Sequence, residues 1–269
     1  MPSFLQIPAD KFLVIAGPCV IESRELCFSV AKHVAKVCAS LGLPYVFKAS
    51  FDKANRSSGS SYRGPGLTDG LATLHAIKEE LGLPVLTDVH EVEQVHAAGE
   101  VVDVLQVPAF LARQTDLLLA CGRTGKAVNV KKGQFMSPQE MGNAAEKVRS
   151  TGNANVLLTD RGTFFGYNRL VNDFTCIPIM QSFGVPVVFD ATHSTQQPGA
   201  LGTGSGGNPA LTPLLARAAI AAGANGLFIE CHPDPKNAKS DASSMVKLDD
   251  VEAILSSCAA IAALRPSWR

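Results

Sequence analysis

Apolar residues along this chain recur in two alternating rhythms. Short runs dense in aliphatic and β-branched residues read as buried strands: "FLVIAGPCVI" (12–21), "PYVFKASF" (44–51), "PVLTDV" (84–89), "VVDVLQVP" (101–108), "AVNVKKG" (127–133), "NVLLTDRG" (155–162), "VPVVFDATH" (185–193) and "GLFIECHP" (226–233). Between them lie stretches with apolar positions every three to four residues, such as 23–42, 66–82, 137–152, 212–224 and 248–265, which read as amphipathic helices. Several stop at a glycine just before the next strand, as in "SLGLP", "ELGLP", "SFGVP" and "AAGANG". That is the composition of a left-handed helix C-cap. Eight strands alternating with eight helices, with no strong linker, predict a single-domain (β/α)8 TIM barrel over 1–269, with a short N-terminal extension over about 1–11. A doubly wound open sheet also alternates, but eight units in this length favour closure, and no GxGxxG follows the first strand.

Composition narrows the class without naming a reaction. Lys plus Arg number 24 and Asp plus Glu number 24, so no global field draws the chain to nucleic acid or to an anionic membrane. No apolar stretch reaches bilayer length, and the first residues lack the basic flank and apolar core of a signal peptide. A soluble cytoplasmic protein is expected. Seven cysteines (19, 27, 38, 121, 176, 231 and 258) are odd in number and form no CxxC pair, which argues against a disulfide framework or a closed zinc site.

Barrels of this kind carry their chemistry at the C-terminal ends of the strands. Those ends hold Cys19 and Glu22; Lys48, Lys53 and Arg56; Asp88 and His90; Gln106; Lys131 and Lys132; Asp160 and Arg161; His193; and Glu230 with His232. The basic members are expected to converge on one mouth, where a positive potential suits a multiply anionic ligand such as a phosphate ester. The alternative is that each base pairs with a nearby acid such as Asp52, Asp88 or Asp160. Cys19, His193 and Glu230, with Asp241 from the loop after the last strand, form a mixed S/N/O set able to hold a divalent transition ion. Pattern alone leaves that open, because a strand-end histidine also serves in hydrogen-bond networks. Cys231 alternates with Glu230 and is expected behind the site. The glycine-rich segment 194–207 reads as a mobile cover over the mouth or as a plain solvent loop.

"KASFDKANRSS" (48–58), "YRGPGL" (62–67), "TDVHE" (87–91), "QVPAFLARQTDLL" (106–118), "NVKKGQF" (129–135), "TDRGTFFGY" (159–167), "FDATHS" (189–194) and "FIECHPDPKNAKSD" (228–241) together resemble the 3-deoxy-D-manno-octulosonate 8-phosphate synthase family. The resemblance implies the same barrel and the joining of phosphoenolpyruvate to D-arabinose 5-phosphate, with release of inorganic phosphate. Lys131 and Arg161 then resemble the clamp on the phosphoenolpyruvate phosphate, and Lys53 the partner of its carboxylate. Ser50 and Gln106 line that pocket, with Lys48 deeper. Asn55, Arg56 and Ser57 resemble the reader of the sugar phosphate. Arg113 resembles a residue reaching into a neighbouring subunit, which implies an oligomer, typically a homotetramer. Cys19 stands where the metal-independent branch has asparagine. With His193, Glu230 and Asp241 it implies one divalent ion per subunit: iron, zinc or manganese. The nearest alternative is the heptulosonate 7-phosphate synthase family, which takes erythrose 4-phosphate and resembles "KPRTS" where this chain has "KANRSS". A non-catalytic phosphate-binding barrel is the other.

Overall fold

Alternate residues of the short apolar runs face inward and outward, and this parity organises the molecule. The computed structural model describes residues 2–55, 59–200 and 205–265. Its main strands are β1 (Leu13–Gly17), β2 (Tyr45–Lys48), β3 (Val85–Asp88), β4 (Val104–Val107), β5 (Ala127–Lys131), β6 (Val156–Asp160), β7 (Val187–Asp190) and β8 (Gly226–His232). Each pairs in parallel with the next, and β8 pairs back to β1 from Leu13↔Gly226 to Gly17↔Glu230. The sheet is a closed eight-stranded barrel. The crossovers are α1 (Arg24–Leu41), α2 (Leu67–Leu81), α3 (Val92–Val101), α4 (Thr115–Arg123), α5 (Met141–Arg149), α6 (Cys176–Gln181) and α7 (Thr212–Ala221), and α8 (Val251–Ala262) follows β8.

Helix boundaries follow local chemistry. Ser23 opens α1 by accepting a hydrogen bond from the Leu26 N–H at 3.1 Å. Gly42 and Gly82 close α1 and α2 in the left-handed region, at φ 62° and 64°, as their sequence positions predict. The helix expected over 137–152 is shorter, because Ser137 and Glu140 trade side-chain and backbone hydrogen bonds and turn the chain before α5 begins.

Two apolar layers result. Outward residues such as Val14, Phe47, Leu105, Val130 and Leu158 pack against the helices. Inward residues Leu13, Ile15, Val46, Leu86, Val104, Ala127, Leu157, Val188 and Phe228 fill the barrel near the starts of the strands. Leu5, on a one-turn 3-10 helix (Ser3–Leu5), joins that inner cluster at 5% exposure, with Phe4 and Ile7 packed beside it. The N-terminal segment thus plugs the end of the barrel opposite the strand C-termini. Among the described residues no helix is long and apolar enough to cross a membrane.

Candidate active site

Inward parity continues past the apolar layer and turns polar. It runs from Val46 to Lys48, Leu86 to Asp88, Val104 to Gln106, Ala127 through Asn129 to Lys131, Leu157 through Thr159 to Arg161, Val188 to Asp190, and Phe228 to Glu230. All of these polar side chains are buried, and they floor or line a cavity of about 600 Å³ at the C-terminal end of the barrel. Below it Thr159 Oγ1 donates to Asn129 Oδ1 at 2.6 Å, and Asn129 Nδ2 donates to Gln106 Oε1 at 3.0 Å. That chain leaves the Gln106 amide nitrogen for the cavity.

The four proposed metal ligands come together. Ligand atoms of Cys19, Glu230 and Asp241 lie within 4.8 Å of one another. His193 Nε2 is 3.3 Å from Glu230 Oε2 and 3.4 Å from Asp241 Oδ2. Backbone geometry prepares this meeting. A Cβ at Gly17 would stand 1.9 Å from the Lys48 carbonyl oxygen, so only glycine lets β1 and β2 close up just before Cys19. Lys48 Nζ then donates to the Cys19 carbonyl at 2.7 Å and to Glu230 Oε1 at 2.5 Å. Asp241 sits at φ 48° in a loop held by the Lys239 N–H donating to Glu22 Oε1 at 2.9 Å and by residues 246–247 pairing beside the end of β8.

The set fits a divalent ion. Glu230 Oε2 is buried with no hydrogen-bond partner and only the His193 ring facing it, at 3.3 Å, so an ion held between the two would satisfy both. Burial raises the Glu230 pKa, but Lys48, His193 and Lys53 outweigh it and hold the group at about 2, ionised and ready to ligate. Burial, then Asp241 and Glu230, push the Cys19 thiol well above its ordinary value. A bound dication reverses that sign and favours the thiolate. Thiolate, imidazole and two carboxylates suit a borderline transition ion.

The basic cluster divides. Lys131 projects inward, with Nζ 3.7 Å above the Phe228 ring and bonded to Asp190 Oδ2. Arg161 also lines the cavity; its Nη2 donates to Gln196 Oε1, while Nε is buried with no partner and free to meet an anion. Burial lowers the Lys53 pKa, but Cys19, Glu230, Asp88 and Asp241 together carry it above the ordinary lysine value. Lys53 and Asn55 line the same cavity, and Ser50 lies at its edge, donating to Asp88 Oδ1. Lys132 departs from the expected convergence. It has the opposite parity from Lys131, is 1% exposed and pairs with Asp160 at 3.4 Å outside the barrel wall. His232 also lies outside the cavity lining, 3.6 Å from Glu22, and Cys231 packs into the helix-facing core. Pairing of bases with acids is therefore real for Lys48, Lys131 and Lys132, while Asp52 takes Arg63 and Asp88 takes His90.

Arg56 and Ser57 lie outside the described residues. Arg113 is exposed and does not line the cavity; it borders a separate groove with Met136, Glu140 and Lys147. Of the segment 194–207, Gln196, Pro198, Gly199 and Ser205 line the cavity, Gln196–Gln197 pair antiparallel with Gly206–Gly207, and 201–204 lie outside the described residues.

Sequence reasoning missed Asp190. Its Oδ1 accepts from the His193 N–H at 2.9 Å, and its Oδ2 takes His193 Nδ1 at 2.6 Å together with Lys131 Nζ. Burial raises its pKa, but His193 and Lys131 outweigh this and keep it ionised well below the carboxylate range. Inward parity from Val188 was the available signal. Ser240, whose Oγ lies 2.9 Å from Cys19 Sγ, carried no signal of its own.

The family model described as "DAHP synthetase I family" matches residues 7–263. A "2-dehydro-3-deoxyphosphooctonate aldolase" of Granulibacter bethesdensis is 57% identical over 244 residues, covering 91% of this chain and 86% of its own. Proteins of the same name from Geotalea uraniireducens (52% identical, covering 97% of this chain and 96% of the relative) and Syntrophotalea carbinolica (54%, covering 98% of each) extend the match along nearly the whole chain. The chain belongs to the 2-dehydro-3-deoxyphosphooctonate aldolases, within the DAHP synthetase I family. Members are enzymes, so the non-catalytic barrel falls away. The heptulosonate synthases are the related family that shares the family model.

Proposed function

We propose that this chain condenses phosphoenolpyruvate with D-arabinose 5-phosphate to give 3-deoxy-D-manno-octulosonate 8-phosphate and inorganic phosphate, a precursor step for lipopolysaccharide. One observation carries the reading. One cavity presents the partnerless Arg161 Nε and Lys131, Lys53 and Asn55, with His193, Glu230 and Asp241 in its wall and Cys19 clustered with the two carboxylates behind them. Two phosphorylated anions brought together repel each other, and fixed cations offset that repulsion without reorganising.

In this reading Lys131 and Arg161 hold the phosphoenolpyruvate phosphate, Lys53 meets its carboxylate, and Ser50 and Gln106 complete the pocket. Asn55, with Arg56 and Ser57, reads the sugar phosphate. C3 of phosphoenolpyruvate bonds to the aldehyde carbon, a water oxygen bonds to C2, and the C2–O bond to phosphate breaks. Lys48 serves from behind, since its ammonium is committed to Glu230 and the Cys19 carbonyl. Cys19, His193, Glu230 and Asp241 would hold the divalent ion (iron, zinc or manganese), which when bound supplies a Lewis acid to orient or polarise an oxygen at this wall. Asp190 fixes the His193 ring so that Nε2 faces that position.

We read residues 1–269 as one catalytic domain of a cytoplasmic homotetramer. Exposed Phe110 and Phe164 at the cavity rim, with Phe165 and Tyr167 exposed beside Phe164 and Phe135 exposed on the loop after β5, support a covered face there. Arg113, outside its own cavity, is available to a neighbour's. The test is phosphate release and product analysis with both substrates. The octulosonate product and a strong preference for arabinose 5-phosphate over erythrose 4-phosphate are expected. Comparable kcat/KM for the two sugars would overturn the assignment.

A further inference from the structure

The buried Lys132 has no part in the cavity, and its surroundings are informative. Its ammonium lies behind the barrel wall within reach of five acceptors: the carbonyl oxygens of Gly133 (3.3 Å), Met136 (3.4 Å) and Gly162 (3.3 Å), Thr163 Oγ1 (3.1 Å) and Asp160 Oδ1 (3.4 Å). Asp160 ends β6, and the others belong to two loops, one following β5 and the other following β6. The first carries Gln134, which lines the cavity with its Oε1 buried and unpartnered. The second carries Arg161, directly preceded by Asp160 and followed by Gly162. A further bond, the Phe164 N–H to the Gln134 carbonyl at 2.8 Å, joins the loops, and Asp160 Oδ2 accepts from the Gly162 N–H at 3.1 Å.

An ammonium buried this far is an expensive way to gain stability, because an apolar pair of similar volume often does as well. What the charge supplies is geometry: one cation gathers carbonyls from both loops that no apolar side chain would orient. We infer that Lys132, neutralised by Asp160, is a positioning residue that sets Arg161 and the Gln134 loop against Lys131 for the phosphoenolpyruvate phosphate. This rests on the phosphate clamp proposed above.

The test compares Lys132→Met/Asp160→Asn, which removes both charges while keeping volume and the acceptor for Gly162, with Asp160→Asn alone and with Arg161→Lys. Steady-state kinetics for each substrate, melting temperature and bound metal are measured on the intact enzyme. The double variant is expected to raise KM for phosphoenolpyruvate roughly tenfold or more while KM for arabinose 5-phosphate and metal content hold within about twofold. Asp160→Asn moves the same KM by less. A folded double variant with wild-type KM for phosphoenolpyruvate overturns the inference; if the double variant does not fold, an unchanged KM in Asp160→Asn does so. Arg161→Lys separates the two readings. If it also leaves this KM unchanged, the clamp itself is wrong, whereas a raised KM there with none in the Lys132 and Asp160 variants defeats the positioning role alone.

Discussion

His193 turns Nδ1 toward Asp190 Oδ2 at 2.6 Å, and the same carboxylate oxygen bonds Lys131. One buried acid therefore orients a metal-ligand candidate and a phosphate-clamp candidate together. Asp190→Asn keeps the shape but removes the charge that both groups face. Metal affinity is expected to fall roughly 10–100-fold, with a rise in KM for phosphoenolpyruvate in the same variant. Metal titration followed by kinetics at saturating metal measures the two losses separately. Loss of neither would show that Asp190 is a bystander.

Cys19 is the soft donor of the proposed metal set and contacts Ser240 Oγ and Asp241 Oδ2, at 2.9 and 3.2 Å. Cys19→Ala removes donor and contacts alike, so bound metal and activity should both disappear. Cys19→Asn places an amide where it can hydrogen-bond Ser240 or a substrate oxygen. It is expected to bind metal weakly yet keep measurable chelator-resistant turnover, as the metal-independent pattern implies. Equal activities of the two variants after chelation would refute a switch at this position.

The pair of His90 and Asp88 gives the fold a pH signature. Burial disfavours the His90 imidazolium, but the Asp88 carboxylate at 3.0 Å outweighs it, Asp52 adds to it and Lys53 opposes, so His90 titrates above the ordinary histidine value. A raised histidine pKa contributes stability that is complete below the unfolded value of about 6.5 and is lost as pH rises through the folded value. The melting temperature of the wild type relative to His90→Gln should therefore narrow as pH climbs from about 6 toward alkaline values. A gap that stays constant across that range contradicts the ion pair.

Leu5 tests the plug. It is 5% exposed inside the inner cluster, far along the barrel from the cavity. Leu5→Ala should cost about 2–4 kcal/mol in urea unfolding, with KM for both substrates and bound metal unchanged. A stability loss under about 0.5 kcal/mol, the scale of an ordinary surface substitution, would mean that the segment merely rests on the barrel.

Part of this site is legible in the sequence. Closed-barrel order places strand C-termini around one mouth, and period-two alternation from Val46, Ala127 and Phe228 sends Lys48, Lys131 and Glu230 inward. The same count, carried one residue further, sends Lys132 outward, so a charge at a strand end joins the basic cluster only when its parity is inward. Asp190 has the inward parity of Val188, but nothing in its spacing marks it apart from the neighbouring His193.

What the chain determines by itself is local and periodic: which residues are apolar, which face of a strand they occupy, where a glycine can end a helix. Those follow from backbone geometry and the removal of apolar surface from water, so they can be counted along the sequence. Tertiary structure alone decided which polar groups are spent on one another. Cys19 and Asp241, 222 positions apart, meet at 3.2 Å only because β8 closes on β1 and the loop after it folds back at a left-handed Asp241. Whether Lys48 serves Glu230, Lys131 shares Asp190 with His193, or Arg161 keeps Nε unpaired depends on distances of a few ångströms inside a desolvated cavity. Electrostatic energies vary steeply at that range, and no spacing along the chain encodes it.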